Sequence, residues 1–172
     1  MKKLFMSMIA ACCAAFLFSS CETLDPDNDF SGTPYGFWVV ESLTVNASTT
    51  INGNTTTHSS TTDFTKDYCR LNLDPVGMGS LWYNWDFDME TFSYDETKAR
   101  ITFKESLNAG DNGKAIVMLG IYEVELDGDR MILRQPEAAI GGSQYGVSEQ
   151  ATYTLRRAPK NEEPRETSEN GE

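Results

Sequence analysis

The chain has 172 residues, with 26 acidic and 14 basic side chains and a formal net charge of −12. Binding to phosphates requires a basic surface, so this charge balance excludes nucleic acid as a partner. Hydrophobic residues make up 40% of the chain and aromatic residues 11%, which is enough to bury the core of one domain. One histidine and four cysteines are a small supply of metal ligands and general bases, and the sequence predicts neither a metal site nor a cofactor.

The first 20 residues predict a bacterial signal peptide. Two lysines precede an apolar stretch from Leu4 to Phe18, which is shorter than the roughly 20 residues of a membrane-spanning helix. The residues Phe18-Ser19-Ser20-Cys21 then resemble a lipobox. That resemblance implies cleavage before Cys21 and attachment of acyl chains, including palmitate, to this cysteine. An ordinary signal peptide followed by an incidental cysteine is the alternative.

Residues 21–32 combine the predicted lipidated cysteine with an acidic tether. The tether holds one glutamate, three aspartates and a proline, without apolar periodicity. It resembles the export signal of Bacteroidota surface lipoproteins, which implies anchoring in the outer membrane at the cell surface, with the periplasmic face as the alternative. A calcium loop starting at Asp25 would need glycine and glutamate where Phe30 and Gly36 stand, so calcium is not predicted. Residues 158–172, with five glutamates and two prolines, predict a disordered acidic tail.

Residues 33–157 predict an all-β domain. Apolar and polar residues alternate along short segments bounded by Asn, Asp and Gly, and helical spacing is nearly absent. Asn52-Gly53 predicts a tight hairpin between residues 43–51 and 54–62, and further hairpins are predicted within residues 94–103 and 116–134. Strands joined mainly by hairpins favour an up-and-down antiparallel β-barrel of about eight strands, which closes its own edges. A two-sheet β-sandwich is the alternative.

The clearest alternation runs from Leu81 to Glu90. Every odd position is apolar, and every even position after Trp82 is polar. We therefore expect a single strand with one buried face and one wet face. The wet face is a row suited to stacking and hydrogen bonding a sugar, formed by Trp82, Asn84, Asp86, Asp88 and Glu90. An ordinary solvated surface is the alternative, and nothing in the sequence indicates the raised pKa that an acid catalyst of glycoside hydrolysis needs.

Several segments resemble the lipocalin superfamily. Gly36-Phe37-Trp38 resembles the Gly-x-Trp motif at the start of the first barrel strand, and residues 153–157 resemble the closing strand, in which a basic residue covers that tryptophan. Residues 120–133 resemble the lipocalin-like domains of bacterial surface lipoproteins. The resemblance spans most of residues 33–157 and implies that Trp38 closes one barrel end beneath Arg156 or Arg157.

The interior of so small a barrel is either filled by side chains or holds one small ligand. The candidate lining of a ligand cavity is aromatic and adaptable, and consists of Tyr83, Trp85, Phe87, Met89, Met118 and Tyr122. The same residues would equally fill a solid core.

Other candidates carry weaker signals. Cys69 alternates with two leucines, which predicts a buried apolar residue rather than a reactive thiol. Because Cys12 and Cys13 belong to the signal peptide and Cys21 to the lipidation site, no intramolecular disulfide is predicted. His58 lies in the Thr-rich stretch 55–62, a predicted contact arm. Gln144 and Tyr145 lie in a loop predicted at the mouth of the barrel.

Two functional hypotheses follow, and neither is enzymatic because no catalytic constellation is present in the sequence. The first is a lipid-anchored protein that binds a small apolar or amphipathic ligand inside its barrel. The second is an interaction lipoprotein with a solid barrel, which contacts an envelope protein or a glycan through its loops, the Thr-rich stretch or the Trp82 row.

Overall fold

A computed structural model describes Phe30, residues 32–111 and residues 113–159. These residues form ten strands: β1 (Gly36–Ile51), β2 (Asn54–Asp63), β3 (Cys69–Leu73), β4 (Met78–Tyr83), β5 (Asp86–Asp95), β6 (Arg100–Asp111), β7 (Lys114–Asp127), β8 (Arg130–Arg134), β9 (Ala138–Gly141) and β10 (Tyr145–Arg157). No helix among them is long and apolar enough to cross a membrane. The predictions for the signal peptide, for Cys21, for most of the tether and for the tail beyond Pro159 fall outside the described residues.

Eight of the ten strands form a closed antiparallel barrel. Around the wall they follow the order β1, β3, β4, β5, β6, β7, β8 and β10, and β10 pairs with β1 to close the sheet. Neighbours in the wall are consecutive in the chain apart from the insertion of β2 and β9, which is the up-and-down arrangement. The predicted barrel is confirmed, and the two-sheet sandwich is wrong.

Strands β1 and β10 extend beyond the barrel and carry the two remaining strands. β1 pairs with β3 only over residues 36–39, and from Ser42 to Ile51 it pairs with β2. Its other edge pairs with β10 from Trp38 to Ile51, and β9 adds to β10. We call this four-stranded extension, residues 42–63 and 138–152, the blade.

The predicted Asn52-Gly53 turn forms the tip of the blade. Ile51 and Asn54 lie directly opposite each other. Asn52 has a φ of 52° and Gly53 a φ of 76°, and a type I′ turn requires positive φ at both central residues. This hairpin prediction is confirmed.

The single strand predicted from Leu81 to Glu90 is instead a hairpin. β4 ends at Tyr83 and β5 begins at Asp86, so Asn84 and Trp85 form a two-residue turn. Asn84 has a φ of 53°, a left-handed conformation that asparagine tolerates better than most residues. Because Tyr83 pairs with Asp86, the even-numbered residues of β5 continue the inner face that the odd-numbered residues form in β4. The alternation seen in the sequence therefore spans two strands with opposite orientations.

Large side chains fill the interior of the barrel. The largest fully buried ones are Trp38, Tyr83, Tyr122, Tyr153, Phe64 and Phe103. Several of their rings are in contact: centroids lie 5.8 Å apart for Phe64 and Tyr83, 6.1 Å for Phe103 and Tyr122, and 6.0 Å for Tyr122 and Tyr153. Edge-to-face and tilted contacts at these separations are favourable arrangements for aromatic rings.

Trp38 and Arg157 close the end of the barrel at which the described chain begins, which we call the lower end. Trp38 is fully buried, and its indole N–H donates to the Pro34 carbonyl oxygen at 2.8 Å. The guanidinium carbon of Arg157 lies 3.9 Å from the centroid of the Trp38 ring. The same guanidinium donates to the carbonyl oxygens of Phe30, Thr33 and Tyr35. The arginine thus covers the tryptophan and holds the segment before β1.

Of the two arginines expected over Trp38, only Arg157 occupies that place. Arg156 faces the exterior, where its Nε lies 3.5 Å from a carboxylate oxygen of Glu41. Gly36 is required by the same arrangement: its φ is 97°, and a Cβ there would lie 3.1 Å from Nη1 of Arg157 and 3.3 Å from a ring carbon of Phe30. A larger residue would displace the arginine and strain the backbone.

The connection between β2 and β3 closes the opposite, upper end of the barrel. Phe64 is fully buried there, and its N–H donates to the Glu41 carbonyl oxygen at 2.9 Å. Lys114, at the tip of the β6–β7 hairpin, donates to a carboxylate oxygen of Asp67 at 2.7 Å and to the carbonyl oxygen of Asp63 at 3.2 Å. Sequence analysis predicted neither the buried phenylalanine nor the lysine that holds this connection.

We expect Arg157→Met to lower the free energy of unfolding by about 2 to 3 kcal/mol, because it removes a cation–π contact and charge-assisted bonds to three carbonyls. Arg156→Met is the matched control, since an exposed ion pair contributes about 1 kcal/mol or less. Urea unfolding of the full chain, followed by tryptophan fluorescence, measures both variants. Equal losses in the two variants would contradict the role of Arg157 in closing the barrel.

The buried hydroxyls predict a distinctive alkaline titration. Burial raises the pKa of Tyr83 to about 12, with the Asp67 carboxylate adding to the effect, and burial also raises the pKa of Tyr122 and Tyr153. These folded-state pKa values exceed the ordinary tyrosine value of about 10. The stability linked to them is therefore complete below pH 10 and is lost as the pH rises through about 12.

We expect absorbance titration of the full chain to show tyrosines that ionise only when the chain unfolds in alkali.

Burial raises the pKa of the Cys69 thiol to about 12, so in a chain whose other cysteines are serine this thiol should resist disulfide exchange until unfolding. Ionisation of every tyrosine at about pH 10, together with a reactive Cys69, would indicate a hydrated interior instead of a packed one.

Candidate functional site

The six residues predicted to line a ligand cavity lie in two different places. Tyr83, Met118 and Tyr122 are buried in the core of the barrel. Trp85 is 99% exposed, and Phe87 and Met89 are 48% and 49% exposed. The prediction that these last three residues face the interior is wrong, because the Asn84-Trp85 turn reverses the chain before them.

The inner candidates belong to a core in which the polar ends of the tyrosines have protein partners. The Tyr122 hydroxyl accepts hydrogen bonds from the Leu119 N–H at 3.3 Å and from the Gln135 side-chain amide at 3.0 Å. The Tyr153 hydroxyl donates to the Val117 carbonyl oxygen at 2.8 Å. These bonds hold the rings in place, as expected for buried tyrosines in a packed core.

Three aromatic rings lie side by side on the outside of the barrel wall. The Trp82 and Phe87 centroids are 5.0 Å apart with an interplanar angle of 42°, and the Phe37 and Trp82 centroids are 6.0 Å apart at 35°. Trp82 and Phe87 are direct cross-strand partners, and Phe37 reaches Trp82 from β1. We call this surface of Phe37, Trp82 and Phe87 the aromatic face. Trp85 lies in the β4–β5 turn, between the strands that carry Trp82 and Phe87.

Polar side chains lie among these rings. Directly opposed residues of antiparallel strands project from the same side of the sheet. By this rule Asn72 and Ser80 share a row with Phe37, and Arg70 shares a row with Trp82. Arg70 and Ser80 are buried, whereas Asn72, the cross-strand partner of Phe37, is half-buried.

The aromatic face resembles a ligand-binding surface more than an ordinary solvated surface. Phe87 is 48% exposed, and Phe37 and Trp82 are half-buried. Aromatic rings that are partly exposed and in mutual contact are costly to leave in water, and such clusters mark sites of recognition. The rings pack at interplanar angles of 35° and 42°, and Asn72 lies opposite Phe37 in the neighbouring strand. Such a surface accepts a ligand from outside without any opening of the barrel.

The polar row predicted next to Trp82 is not one surface. Asn84 lies in the turn, where its side-chain oxygen accepts the Tyr68 N–H at 3.1 Å and its amide donates to Asp111 at 3.3 Å. Asp86 and Asp88 point toward β6, away from the side on which Trp82 lies. The predicted grouping is therefore wrong, again because the strand direction reverses after Tyr83.

Asp86 and Asp88 form part of the barrel wall. β5 pairs with β6 only over Phe92–Asp95. Beyond that segment the Asp88 carboxylate accepts the Asn108 N–H at 2.8 Å, and the Asp86 carboxylate accepts the Gly110 N–H at 2.9 Å. Side-chain oxygens thus replace backbone carbonyls as acceptors along this part of β6, so both carboxylates have a structural use.

The part of the chain that the structure describes was also compared with the requirements of a metal site and of a reactive thiol. No group of three or more His, Cys, Asp or Glu side chains there is placed to hold a metal ion. Cys69 is buried among core residues, where burial raises the pKa of its thiol to about 12. A thiol in this state is a poor nucleophile at neutral pH.

The blade presents the Thr-rich stretch to solvent. Hydroxyl pairs connect its strands: Thr44 with Thr61 at 3.0 Å, Thr50 with Thr55 at 2.8 Å, and Ser48 with Ser148 at 2.8 Å. A shallow depression of about 490 Å³ lies along it, lined mainly by short polar side chains and by His58 and Glu137.

Gln144 and Tyr145 lie at the tip of the blade and not at the mouth of the barrel. The Gln144 carbonyl oxygen accepts the Gly53 N–H at 3.1 Å, and the Tyr145 hydroxyl donates to the Asn52 side chain. The predicted position is wrong because β10 extends past the barrel. The two residues support the Asn52-Gly53 turn.

Sequence analysis missed the part that Phe37 plays and the outward position of Phe87. The signal that would have found the outward position of Phe87 is the Asn84-Trp85 dipeptide, since asparagine at the first position of a two-residue turn favours a hairpin. No local signal brings Phe37 to Trp82, because these residues lie on strands that are distant in the chain. Reading a turn there reverses the assignment of every later residue in β5.

We expect Asp88→Ala to lower the free energy of unfolding by about 1 to 3 kcal/mol, because the Asn108 N–H loses its acceptor. Amide exchange at Asn108 should accelerate, as measured by NMR. Glu90→Ala is the control, since the Glu90 carboxylate makes no hydrogen bond to another described residue of the chain. Unchanged exchange at Asn108 in the Asp88 variant would show that the wall does not depend on this bond.

Comparison of the chain with protein families, with curated proteins and with solved structures finds no match.

Proposed function

We propose that this protein is a non-catalytic, lipid-anchored envelope lipoprotein that binds a neutral glycan on the outside of its barrel. The observation that carries the proposal is the packing of Trp82 between Phe37 and Phe87 on the exterior wall. The barrel is the rigid support that holds these rings in register.

The chemistry of a sugar ring suits this surface. A pyranose presents C–H groups on one face and hydroxyls around its rim, so it is recognised by a flat aromatic ring beside a hydrogen-bonding side chain. The aromatic face supplies the rings, and the Asn72 amide supplies both a donor and an acceptor at their border. The net charge of −12 opposes binding of a sulfated or phosphorylated polymer, and this favours a neutral glycan.

Binding of a small apolar ligand inside the barrel has less support. Three of its six predicted lining residues lie outside, and the other three take part in a core whose aromatic rings are in mutual contact. An enzyme also has little support, because the carboxylates closest to the aromatic face accept backbone N–H groups of β6.

The positions of the two barrel ends fit an anchored protein. Gly36 pairs with Leu73 at the lower end, whereas Cys69 pairs with Tyr83 next to the Trp85 turn at the upper end. The described chain begins at the lower end, where Arg157 binds the Phe30 carbonyl. A lipid on Cys21 would therefore approach the barrel from below and leave the Trp85 turn directed away from the membrane.

We expect Trp82→Ala to weaken binding of a neutral glycan by tenfold or more, in line with the loss of about 1 to 3 kcal/mol when an aromatic contact residue is truncated. Because Trp82 is half-buried, Trp85→Ser is a second variant that leaves folding untouched, and a smaller loss is expected for it. Binding of the full chain in detergent is measured on a glycan array and then by calorimetry with the glycans retained.

Tyr145→Ala is the matched control, since it removes an exposed aromatic residue from the blade instead of from the aromatic face. Cys21→Ser should release the chain from the membrane fraction and abolish palmitate incorporation without changing glycan affinity. Absence of neutral glycan binding, or an equal loss in the Tyr145 variant, would overturn the proposal. Capture of a protein partner that is lost in the Trp85 variant, without any glycan binding by the native chain, would also overturn the proposal.

A further inference from the structure

Strand β2 is an open edge of the sheet. It lies at the end of the strand order, and no strand of the described residues pairs with its outer side. Its ten residues pair with β1 without any bulge or register shift. A long, regular edge strand is a template for pairing with another strand.

The hairpin geometry shows which backbone N–H and C=O groups of β2 do not bond to β1. In a two-residue hairpin the residues that flank the turn, here Ile51 and Asn54, form a hydrogen-bonded pair, and such pairs then alternate along the ladder. The even-numbered residues of β2 therefore bond to β1. The N–H and C=O groups of the odd-numbered ones point outward, and these residues are Thr55, Thr57, Ser59 and Thr61. The Asp63 carbonyl accepts a bond from Lys114, which marks the end of the open segment.

The two edges of the blade differ in how they are protected. β9 has four residues and follows directly after Pro136 and Glu137; a short strand preceded by a proline and a charge resists pairing. β2 has none of these features, since residues 54–62 include no proline, lysine, arginine, aspartate or glutamate. The β9 edge of the blade is thus protected against pairing with another strand, and the β2 edge is not.

We infer that the outer edge of β2 pairs with the same edge of a second copy of this chain. Charge favours this occupant at this place. With a net charge of −12, two copies repel across most of their surfaces, whereas residues 54–62 bring no acidic side chain opposite another.

One antiparallel register pairs all four outward-facing residues with one another. About a two-fold axis perpendicular to the sheet, Thr55 meets Thr61 of the second copy, Thr57 meets Ser59, and His58 lies opposite His58. Within one chain Thr55 and Thr61 already share hydroxyl hydrogen bonds with Thr50 and Thr44 of β1. Because a hydroxyl both donates and accepts, the same ladder of hydroxyls continues across the axis.

The pairing joins two blades into one continuous sheet of eight strands, four from each copy. The strands run antiparallel across the axis, so the two barrels extend in opposite directions. The lower ends, where Arg157 holds Phe30, then lie at the two extremes of the assembly, so two lipid-anchored copies that pair in this way are anchored in two facing membranes.

Cysteine cross-linking tests the register directly. In the full chain with Cys12, Cys13 and Cys21 replaced by serine, His58→Cys places two cysteines opposite each other across the axis, within the range of a disulfide. Ser60→Cys is the matched control: it lies on the same face, but its two copies are separated by four residues, or about 13 Å. We expect a disulfide-linked dimer for the His58 variant and none for the Ser60 variant. The reverse result, or no dimer in either, would overturn the inference.

Sedimentation equilibrium of the full chain in density-matched detergent is the second measurement. We expect a mass of two chains for the native sequence and for Thr57→Val, which keeps the outward N–H. Thr57→Pro removes that N–H without removing a bond to β1, and it should give a single chain with an unchanged circular dichroism spectrum. A monomeric native chain, or a dimer that persists in Thr57→Pro, would overturn the inference. Both results are independent of glycan binding, because the aromatic face lies on other strands.

Discussion

The pairing of β1 with β10 is the constraint on which the rest of the structure depends. It runs from Trp38 to Ile51 and joins the first strand of the domain to the last. Its lower part closes the barrel, because β1 there also pairs with β3. Its upper part has no wall to join and instead carries β2 and β9 as the blade. A long-range pairing of this kind has a high cost in chain entropy before its contacts form, and the Trp38–Arg157 contact secures one end of it.

Aromatic residues inside the barrel support the fold, whereas those on the outer wall form the proposed binding surface. Inside the barrel, rings in contact with one another exclude water and give the wall a rigid core. Outside it, a second set of rings packs on the wall at β1, β4 and β5, where water reaches them. Rings packed against one another on one barrel wall lose little further side-chain freedom when a ligand binds, which favours affinity from a small surface. The filled interior and the exterior binding surface are thus complementary parts of one arrangement.

Hydrogen bonding in the wall explains why several polar residues of the sequence are not available for chemistry. Where β5 and β6 separate, Asp86 and Asp88 supply acceptors to backbone N–H groups that would otherwise be unsatisfied. Where the wall ends above, Lys114 and Asp67 hold the β2–β3 connection over the barrel. On the outer side of β2 the sheet keeps a regular row of backbone groups that no strand of the described residues pairs, and the inferred contact between copies would satisfy it.

The sequence by itself determined the all-β class and the Asn52-Gly53 hairpin and favoured the eight-stranded barrel over a sandwich, because these depend on local signals: period-two alternation and turn dipeptides. The closing role of Trp38 with an arginine was implied by the resemblance of short motifs and not by these signals. It did not determine which face of β5 is buried. Alternation gives the faces of a strand but not the point at which the chain reverses, and one unrecognised turn at Asn84-Trp85 exchanges inside and outside for all the residues that follow. The aromatic face also needed the tertiary structure, since Phe37 and Trp82 are separated in the chain by the whole of β2 and β3 and meet only because β1 and β4 flank β3 in the closed wall.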